Sequence, residues 1–412
     1  MSYRVQLREE RPLKKAPQQP NRVAQLAFSL ALSSVLLLLV LSFSPRPLLF
    51  EQALLSIAKY DVNIVNGYMN PTESDLRQAL RFGLMVIGSF VLLVGALYSV
   101  RSHVLVNQDV ERKLFSVSMT VVCAGSIFVA LAQPAYELMS FSPVETLMTD
   151  PGSLPIFGHR LLLVWFADAL KMIIPSLSYR RCYLATQLVA AFATTYIVGR
   201  WSSLFIGKQW KFLGQIMLAV MLIPNFLYCS FYDVPMVFFY TACLMLLYRR
   251  SYLWFIALLG IATLNHENTL LLVGVAVFTI HGVAPRRTWL GVSLAAFAVW
   301  LAVRASMQYF LPMNAHFEPH VWSNLLDLIH PPGDLFKSAG TLFFWWICGA
   351  IGFRHSNRFV RRATILLPGL IAVTFVAGHF NEARQFAAYI PVAIALILSY
   401  VRNELIPHDL TA

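Results

Sequence analysis

The sequence predicts an all-α membrane protein, a polytopic helical bundle with about twelve transmembrane spans. The chain of 412 residues has a mean hydropathy of +0.63 and only 13% charged residues, whereas soluble domains are normally about one quarter charged. Apolar runs long enough to cross a bilayer recur along nearly the whole chain. Only helices and closed barrels satisfy backbone groups in lipid, and the sequence lacks the alternation of a barrel, so we expect helices.

The candidate spans follow one another with short basic linkers between them. They lie near residues 26 to 44, 82 to 100, 115 to 134, 182 to 199, 210 to 228, 233 to 248, 252 to 265, 268 to 284, 288 to 308, 340 to 353, 361 to 379 and 385 to 401. If the first span runs outward, the basic clusters between spans all fall inside, as the positive-inside rule requires. The clusters are Arg101 with Arg112 and Lys113, Lys208 with Lys211, Arg249 with Arg250, Arg286 with Arg287, and Arg354, Arg358, Arg361 and Arg362.

This threading predicts a bacterial inner (plasma) membrane protein with both termini in the cytoplasm. A basic tail over 1–25 precedes a transmembrane domain over 26–401, and residues 402–412 form a second tail. The run from Leu26 to Ser44 is too long for a signal-peptide core and reads as a retained signal anchor. The net charge of +12 is spread over the clusters between spans, where it meets anionic membrane lipids, so we exclude nucleic acid as a partner.

The stretch LNHENTLLL, residues 264 to 272, places four polar residues between two apolar runs. One continuous helix over 252 to 284 would put Arg249/Arg250 and Arg286/Arg287 on opposite faces of the membrane, whereas a hairpin of two helices puts both inside. Each leg is short for a full span, so we expect the tip to be recessed below the outer surface, against protein or a watery cavity.

Residues 160 to 178 form an apolar segment that does not fit as a span. A crossing there would place all later basic clusters on the outer side, against the positive-inside rule. On a helical wheel Arg160, Asp168 and Lys171 fall within roughly an 80° arc. We therefore predict an amphipathic helix on the outer interface. A short span with a polar stripe facing the bundle is the alternative.

The threading brings ionisable residues near span ends to the outer face. Charges at bilayer depth are costly unless paired or used, so a substrate site facing outward is the default hypothesis. A carboxylate there can take a proton from an attacking hydroxyl, and arginines can hold a phosphate leaving group in a bidentate manner. The candidates are Asp150, His159, Arg160, Asp233, His266, Glu267, His379, Glu382 and Arg384.

Each candidate also has a purely structural interpretation. In this interpretation Glu267 and His266 only close the hairpin tip, and Asp233, before Val-Pro, caps a helix. Asp150 precedes Pro-Gly in a turn-prone loop, and Glu382 with Arg384 can form a local ion pair. His316, Glu318 and His320 in HFEPH alternate along a loop, and this spacing is only weak evidence for a metal site.

Three stretches together resemble a known family. They are GHRLLLVWFADAL, FYDVPMVFFYTACLMLLYRRSYLWFIALLGIATLNHENTLLL and HFNEARQFAAYIP. The first is similar to the amphipathic helix after the first catalytic outer loop, the second to the "YD-P, basic turn, A-T-L-N-R-E-T" hairpin, and the third to the late Glu-x-Arg loop of the bacterial multi-spanning GT-C glycosyltransferases. The resemblance covers roughly residues 115 to 401, which would make 26–100 an added N-terminal hairpin.

The resemblance implies a GT-C-like enzyme that transfers a sugar from a polyprenyl-phosphate carrier to a glycan or lipid-linked acceptor at the outer (periplasmic) face. It implies Asp150 as general base, with Asp61 as the alternative base, and places Glu267 and His266 near the catalytic cavity. Arg160 and Arg384 are then candidates for the carrier phosphate, and Glu382 and Asp233 for further substrate contacts.

Two departures from the family pattern bear on these roles. His266 stands where the pattern has arginine, so a permanent charge is replaced by a group that titrates near neutrality. The loop around Asp150 lacks the acidic pair of many members, so no metal ligands are predicted and a divalent metal cofactor stays open.

Two other functions also fit the same outward cavity. One is a transporter or flippase of lipid-linked sugars, although only the 252 to 284 hairpin is interrupted in the way transporter helices often are. The other is a non-catalytic membrane partner in envelope assembly.

Overall fold

The computed structural model describes residues 116–117, 119–128, 160–222, 232–310, 319–329, 346–378 and 383–405. This part of the chain is helical and contains no strand. The helices are α1 Met119–Phe128, α2 Leu162–Ile173, α3 Tyr179–Ile206, α4 Lys211–Leu222, α5 Asp233–Tyr248, α6 Tyr252–Asn265, α7 Leu270–Ile280, α8 Arg286–Phe310, α9 Val321–Ile329, α10 346–352, α11 Arg358–Ala363, α12 Leu366–Ala377 and α13 Ile390–Tyr400. Short 3₁₀ helices cover Lys208–Trp210, Glu267–Thr269 and Ala383–Tyr389.

Four helical runs in this part are long and apolar enough to cross a membrane: Arg181–Ile206, Arg286–Phe310, Arg358–Ala377 and Arg384–Glu404. Shorter apolar helices accompany them, among them Asp233–Tyr248, Tyr252–Asn265 and Glu267–Ile280. The predicted helical membrane architecture is therefore confirmed in this coarse form. The predicted spans 26 to 44 and 82 to 100 lie outside the described residues.

Helix α3 forms the centre of the bundle and packs against α2, α4, α5 and α13. Its ends are set locally, because the Ser178 hydroxyl accepts the backbone N–H of Arg181 at the start and Gly207, with φ 92°, ends it. The buried Trp201 ring donates from Nε1 to the carbonyl of Pro391 at 2.8 Å and so fixes α13 against α3.

Helix α8 lies at the edge of the described bundle and packs against α6 and α7. Large apolar side chains on it are exposed: Leu294 is 65% exposed and Tyr309 80%. An exposed apolar face on a helix of this length is typical of contact with lipid.

The chain reverses at the Glu267–Thr269 turn. Tyr252, at the start of α6, and Ile280, at the end of α7, line one cavity at the far end of these helices. Helices α6 and α7 therefore run in opposite directions, as the hairpin interpretation predicts. At the other end of α5, the turn into α6 places Arg250 at φ 59°, a left-handed conformation that costs a non-glycine residue about 1 kcal/mol.

Helix α2 differs in part from the predicted polar stripe. It has 12 residues and is about 18 Å long, which is short of the roughly 30 Å hydrocarbon core. Arg160 precedes the helix and is buried, whereas the exposed side chains are apolar, with Met172 75% and Ile173 76% exposed. Arg160 turns inward because it pairs with Glu267, so the outward face of α2 is apolar. Its placement on the outer interface stays a prediction.

Candidate functional site

Four distant segments of the chain meet at the end of the bundle where the hairpin turns. They are the residue before α2, the start of α5, the turn between α6 and α7, and the 3₁₀ turn before α13. They bring together five of the predicted site residues, namely Arg160, Asp233, His266, Glu267 and Arg384. Contacts over such sequence separations arise only from the packed fold.

The turn itself is held by a local network of hydrogen bonds. The buried His266 ring accepts the backbone N–H of Asn268 at Nδ1, at 3.1 Å, so this nitrogen carries no proton and the ring is neutral. The buried Asn265 amide donates to the carbonyl of Tyr232 at 3.0 Å, and the Tyr240 hydroxyl donates to the carbonyl of Asn268 at 2.5 Å. These hydrogen bonds compensate the desolvation cost of burying polar groups in the turn.

The Glu267 side chain leaves the turn and binds Arg160. The Arg160 guanidinium donates from Nε to Oε2 at 3.2 Å and from a terminal nitrogen to Oε1 at 2.5 Å. This bidentate geometry is the strongest form of the arginine–carboxylate pair. Burial alone would lower the pKa of Arg160, but the Glu267 carboxylate outweighs it and raises the pKa above its ordinary value. Arg160 is therefore a permanent cation in the site.

Tyr232 forms an aromatic platform between two arginines. The Arg160 guanidinium carbon lies 4.2 Å from the ring centre and that of Arg384 lies 5.9 Å from it. Arg384 also donates to the Tyr232 hydroxyl at 2.8 Å and lies 3.9 Å from the Asp233 carboxylate. The ring edge meets His266 at a centroid distance of 5.0 Å. The two cations are thus held close together by a ring rather than by opposite charge alone.

Asp233 occupies the first turn of α5 and is 2% exposed. The N-cap residue is Tyr232, and it makes no side-chain capping hydrogen bond. Asp233 lies one position further, where a carboxylate interacts favourably with the positive end of the helix dipole. Its distance to Arg384 shows that it also belongs to the charged cluster.

The sequence reasoning missed three contributors. Tyr232 precedes Asp233, and Trp300 and Arg304 come from α8. Trp300 donates from Nε1 to the carbonyl of Glu267 at 3.1 Å, and Arg304 lies within electrostatic range of Glu267 and Arg160. Arg304 was detectable in principle, because an arginine inside the apolar run LAVRASM is a functional-site signal.

The remaining predicted residues cannot be placed. Asp150, the alternative base Asp61, and Glu382 lie outside the described residues, as do His159, His379, His316 and Glu318. His320 of the HFEPH cluster donates its backbone N–H to the carbonyl of Val376 at 2.9 Å and so joins α9 to α12. Within the described ranges no three His, Cys, Asp or Glu side chains are grouped to hold a metal ion.

Among the described residues, the cluster carries more positive than negative charge. Arg160, Arg304 and Arg384 bring three positive charges in this part of the chain, against two negative charges from Asp233 and Glu267. Glu267 is the more open carboxylate, with 34% of its side chain exposed, compared with 3% for Asp233. The arrangement can therefore attract an anion, and the side next to Glu267 is its accessible side.

Comparison with known proteins adds no assignment to this geometry. No protein-family model, no curated protein and no solved structure matches the chain.

Proposed function

We propose that this chain is an integral-membrane glycosyltransferase of GT-C-like architecture with about twelve spans. It transfers a sugar from a polyprenyl-phosphate carrier to a glycan or lipid-linked acceptor at the outer face of the bacterial inner membrane. The observation that supports the proposal is the surplus of arginine over carboxylate among the described residues of a largely buried cluster at one end of the bundle, since a phosphate leaving group needs such a partner.

In this proposal the two arginines have different roles. Two Arg160 nitrogens are bound by Glu267, and this pair fixes the orientation of the guanidinium group. Arg384 contacts the Tyr232 hydroxyl and Asp233 through one terminal nitrogen. We assign Arg384 as the main contact of the carrier phosphate and Arg160 as the second. His266, which caps the turn, positions Glu267.

The proposed reaction is a direct displacement at the anomeric carbon. Asp150 accepts the proton of the acceptor hydroxyl, whose oxygen forms the new bond to the anomeric carbon. The bond from that carbon to the phosphate oxygen breaks, and its electron pair goes to the lipid phosphate, which the arginines stabilise. A protonated Asp150, a glycosylated acceptor and a free lipid phosphate result.

The test is release of lipid phosphate from a panel of polyprenyl-phosphate sugars by purified protein. Asp150→Asn and Arg384→Gln should each lower kcat/KM by roughly 10²-fold or more, as loss of one charge-stabilising group does in other enzymes. Arg200→Gln, at an exposed position of α3, removes an equal charge away from the cluster and should retain activity.

Two results would contradict the proposal. One is full activity of Asp150→Asn with every donor that the wild type uses. The other is movement of the intact lipid-linked sugar across vesicles without cleavage, which would make the protein a transporter.

A further inference from the structure

A second site lies at the opposite end of α5 and α6. A cavity of about 490 Å³ opens there between three turns of the chain, those before α6, after α7 and before α11. Helix α5 has 16 residues, so the cavity is roughly 24 Å from the cluster around Tyr232. Its volume is in the range of ordinary ligand sites.

Arginines dominate the polar lining of this cavity. Arg250, Arg358 and Arg362 contribute to its wall, and no carboxylate among the described residues does. The guanidinium groups of Arg358 and Arg362 converge, because a methyl group on Gly282 would lie 3.7 Å from one and 3.9 Å from the other. Two positive charges near the same point form a positive potential that favours an anion.

The arginines differ in how they are held. Arg362 donates to the carbonyls of Phe278 and His281 at the end of α7 and so has a structural role. Arg250 and Arg358 are exposed, which leaves their side chains able to turn toward a ligand. Planar guanidinium groups suit the oxygens of a phosphate.

The rest of the wall suits the part of a lipid just below its phosphate. Tyr248 and Tyr252 add amphipathic rings, and Leu247 and Ile280 add apolar surface. Nearby in the first turn of α6, Trp254 is 69% exposed. Tyrosine and tryptophan concentrate at the level of the lipid headgroups, so these rings mark that level.

We propose that this cavity binds the phosphodiester headgroup of an anionic phospholipid from the surrounding leaflet. The ligand chemistry is a phosphate anion held by Arg250 and Arg358, with Arg362 completing the charge, and the bilayer is its source. The positive-inside rule makes this leaflet the cytoplasmic one. The proposal does not depend on the glycosyltransferase assignment.

The experiment measures retained lipid by native mass spectrometry of the full-length protein, purified in detergent with phosphatidylglycerol or phosphatidylcholine. Wild type should retain phosphatidylglycerol selectively. The double variant Arg250→Gln, Arg358→Gln should retain roughly 25-fold less, since each basic residue near a membrane contributes about fivefold in affinity. Arg362 is left in place because it holds the end of α7.

The matched control is Arg286→Gln, Arg287→Gln, which removes two exposed arginines near the same end that do not line the cavity. It should retain phosphatidylglycerol as the wild type does. An equal loss in both double variants, or equal retention of phosphatidylcholine, would overturn the proposal. A third arm adds inorganic phosphate, and displacement of the lipid at low millimolar concentration would also overturn it, by identifying free phosphate as the ligand.

A variant that fails to fold is recognised by its elution profile and melting temperature. In that case Arg358→Gln alone is measured in the same way, and unchanged selectivity in this variant counts against the site.

Discussion

Arg160 is the residue that joins most parts of the candidate site. It is 9% exposed, forms a two-point pair with Glu267, and lies over the Tyr232 ring. A buried guanidinium needs such partners, because removing one of them leaves an uncompensated charge out of water. The pair therefore links residues that are 107 positions apart in the sequence.

The first prediction concerns this pair. Glu267→Gln removes the carboxylate that Arg160 binds, so we expect the free energy of unfolding to fall by about 1.5–3 kcal/mol. Arg160→Gln should cost a similar amount. The double variant should cost less than the two single effects together, by about 0.5–3 kcal/mol of coupling. Chemical unfolding in detergent micelles measures all three.

Asp168→Asn is the control for loss of a carboxylate near the same helix. Partial burial raises the pKa of Asp168, which means that the fold disfavours its charged form. The Asp168 carboxylate therefore does not stabilise the fold relative to a neutral side chain. Neutralising it should leave the unfolding energy unchanged or slightly higher. Strict additivity of the Glu267 and Arg160 effects would show that the pair does not contribute as a unit.

The second prediction separates the two roles of Tyr232. Tyr232→Phe removes the hydroxyl that accepts from Arg384 but keeps the ring beneath Arg160, so it should cost about 0.5–1.5 kcal/mol. Tyr232→Leu removes both contacts and should cost about 0.5–2 kcal/mol more from the lost cation–π contacts. Thermal unfolding at matched detergent concentration compares them. Equal losses in both variants would mean that the ring does not hold the arginines.

The sequence indicated part of this site. Charged residues at the ends of apolar runs stand out, because lipid makes them costly, and so Arg160, Asp233, Glu267 and Arg384 were predicted. Their partners could not be assigned, since contacts between remote segments depend on how the helices pack. Tyr232 carries no charge and lies at an ordinary helix start, so the pattern gave no sign of its contacts with two arginines.

The helix boundaries likewise depend partly on local sequence and partly on packing between remote segments. The predicted spans 233 to 248 and 252 to 265 coincide with α5 and α6, because the basic turn at Arg249/Arg250 and the polar stretch after Leu264 mark their ends strongly. The span predicted at 182 to 199 is longer in the structure, where α3 covers Tyr179–Ile206. The buried Trp201 and Ser202 extend it, and hydropathy alone does not register their burial.

The third prediction concerns the close packing of α10 on α13. A Cβ at Gly352 would lie 2.0 Å from the backbone oxygen of Leu396, and backbone cannot move aside cheaply. We expect Gly352→Ala to lower the unfolding free energy by about 1–3 kcal/mol through overpacking. The melting temperature in detergent measures it.

Gly291→Ala in α8 is the matched control. No heavy atom lies within 4 Å of a Cβ at this exposed position, and alanine favours a helix over glycine by about 0.5–1 kcal/mol. This variant should be neutral or more stable. A Gly352→Ala protein as stable as wild type would mean that α10 and α13 are separated by more than the structure shows.

At the scale of the whole molecule, the described bundle has two chemically different ends. Arg160, Glu267 and Arg384 gather at one end, and the arginine-rich cavity lies at the other. Helix α8, with 25 residues, is about 37 Å long and reaches from one end to the other. The positive-inside rule predicts that the cavity end faces the cytoplasm.

The fourth prediction tests this orientation in sealed cells. The five native cysteines, Cys123, Cys182, Cys229, Cys243 and Cys348, are replaced first. A membrane-impermeant maleimide should then label Gln308→Cys, near the end of α8, from outside. Ser251→Cys, in the turn between α5 and α6, should be labelled only after permeabilisation.

Labelling of both positions from the same side would remove the basis for an outward-facing site. Reversed labelling would place the charged cluster on the cytoplasmic side, which would be inconsistent with a periplasmic transfer reaction.

The left-handed backbone at Arg250 sets protein stability against lipid binding. At φ 59° a glycine would fit with less strain, so Arg250→Gly should make the isolated protein harder to unfold while it weakens the hold on anionic lipid. Thermal resistance and lipid retention would then change in opposite directions at a single position. A screen that selects only for heat resistance would favour this replacement and would discard the ligand contact without any sign of damage.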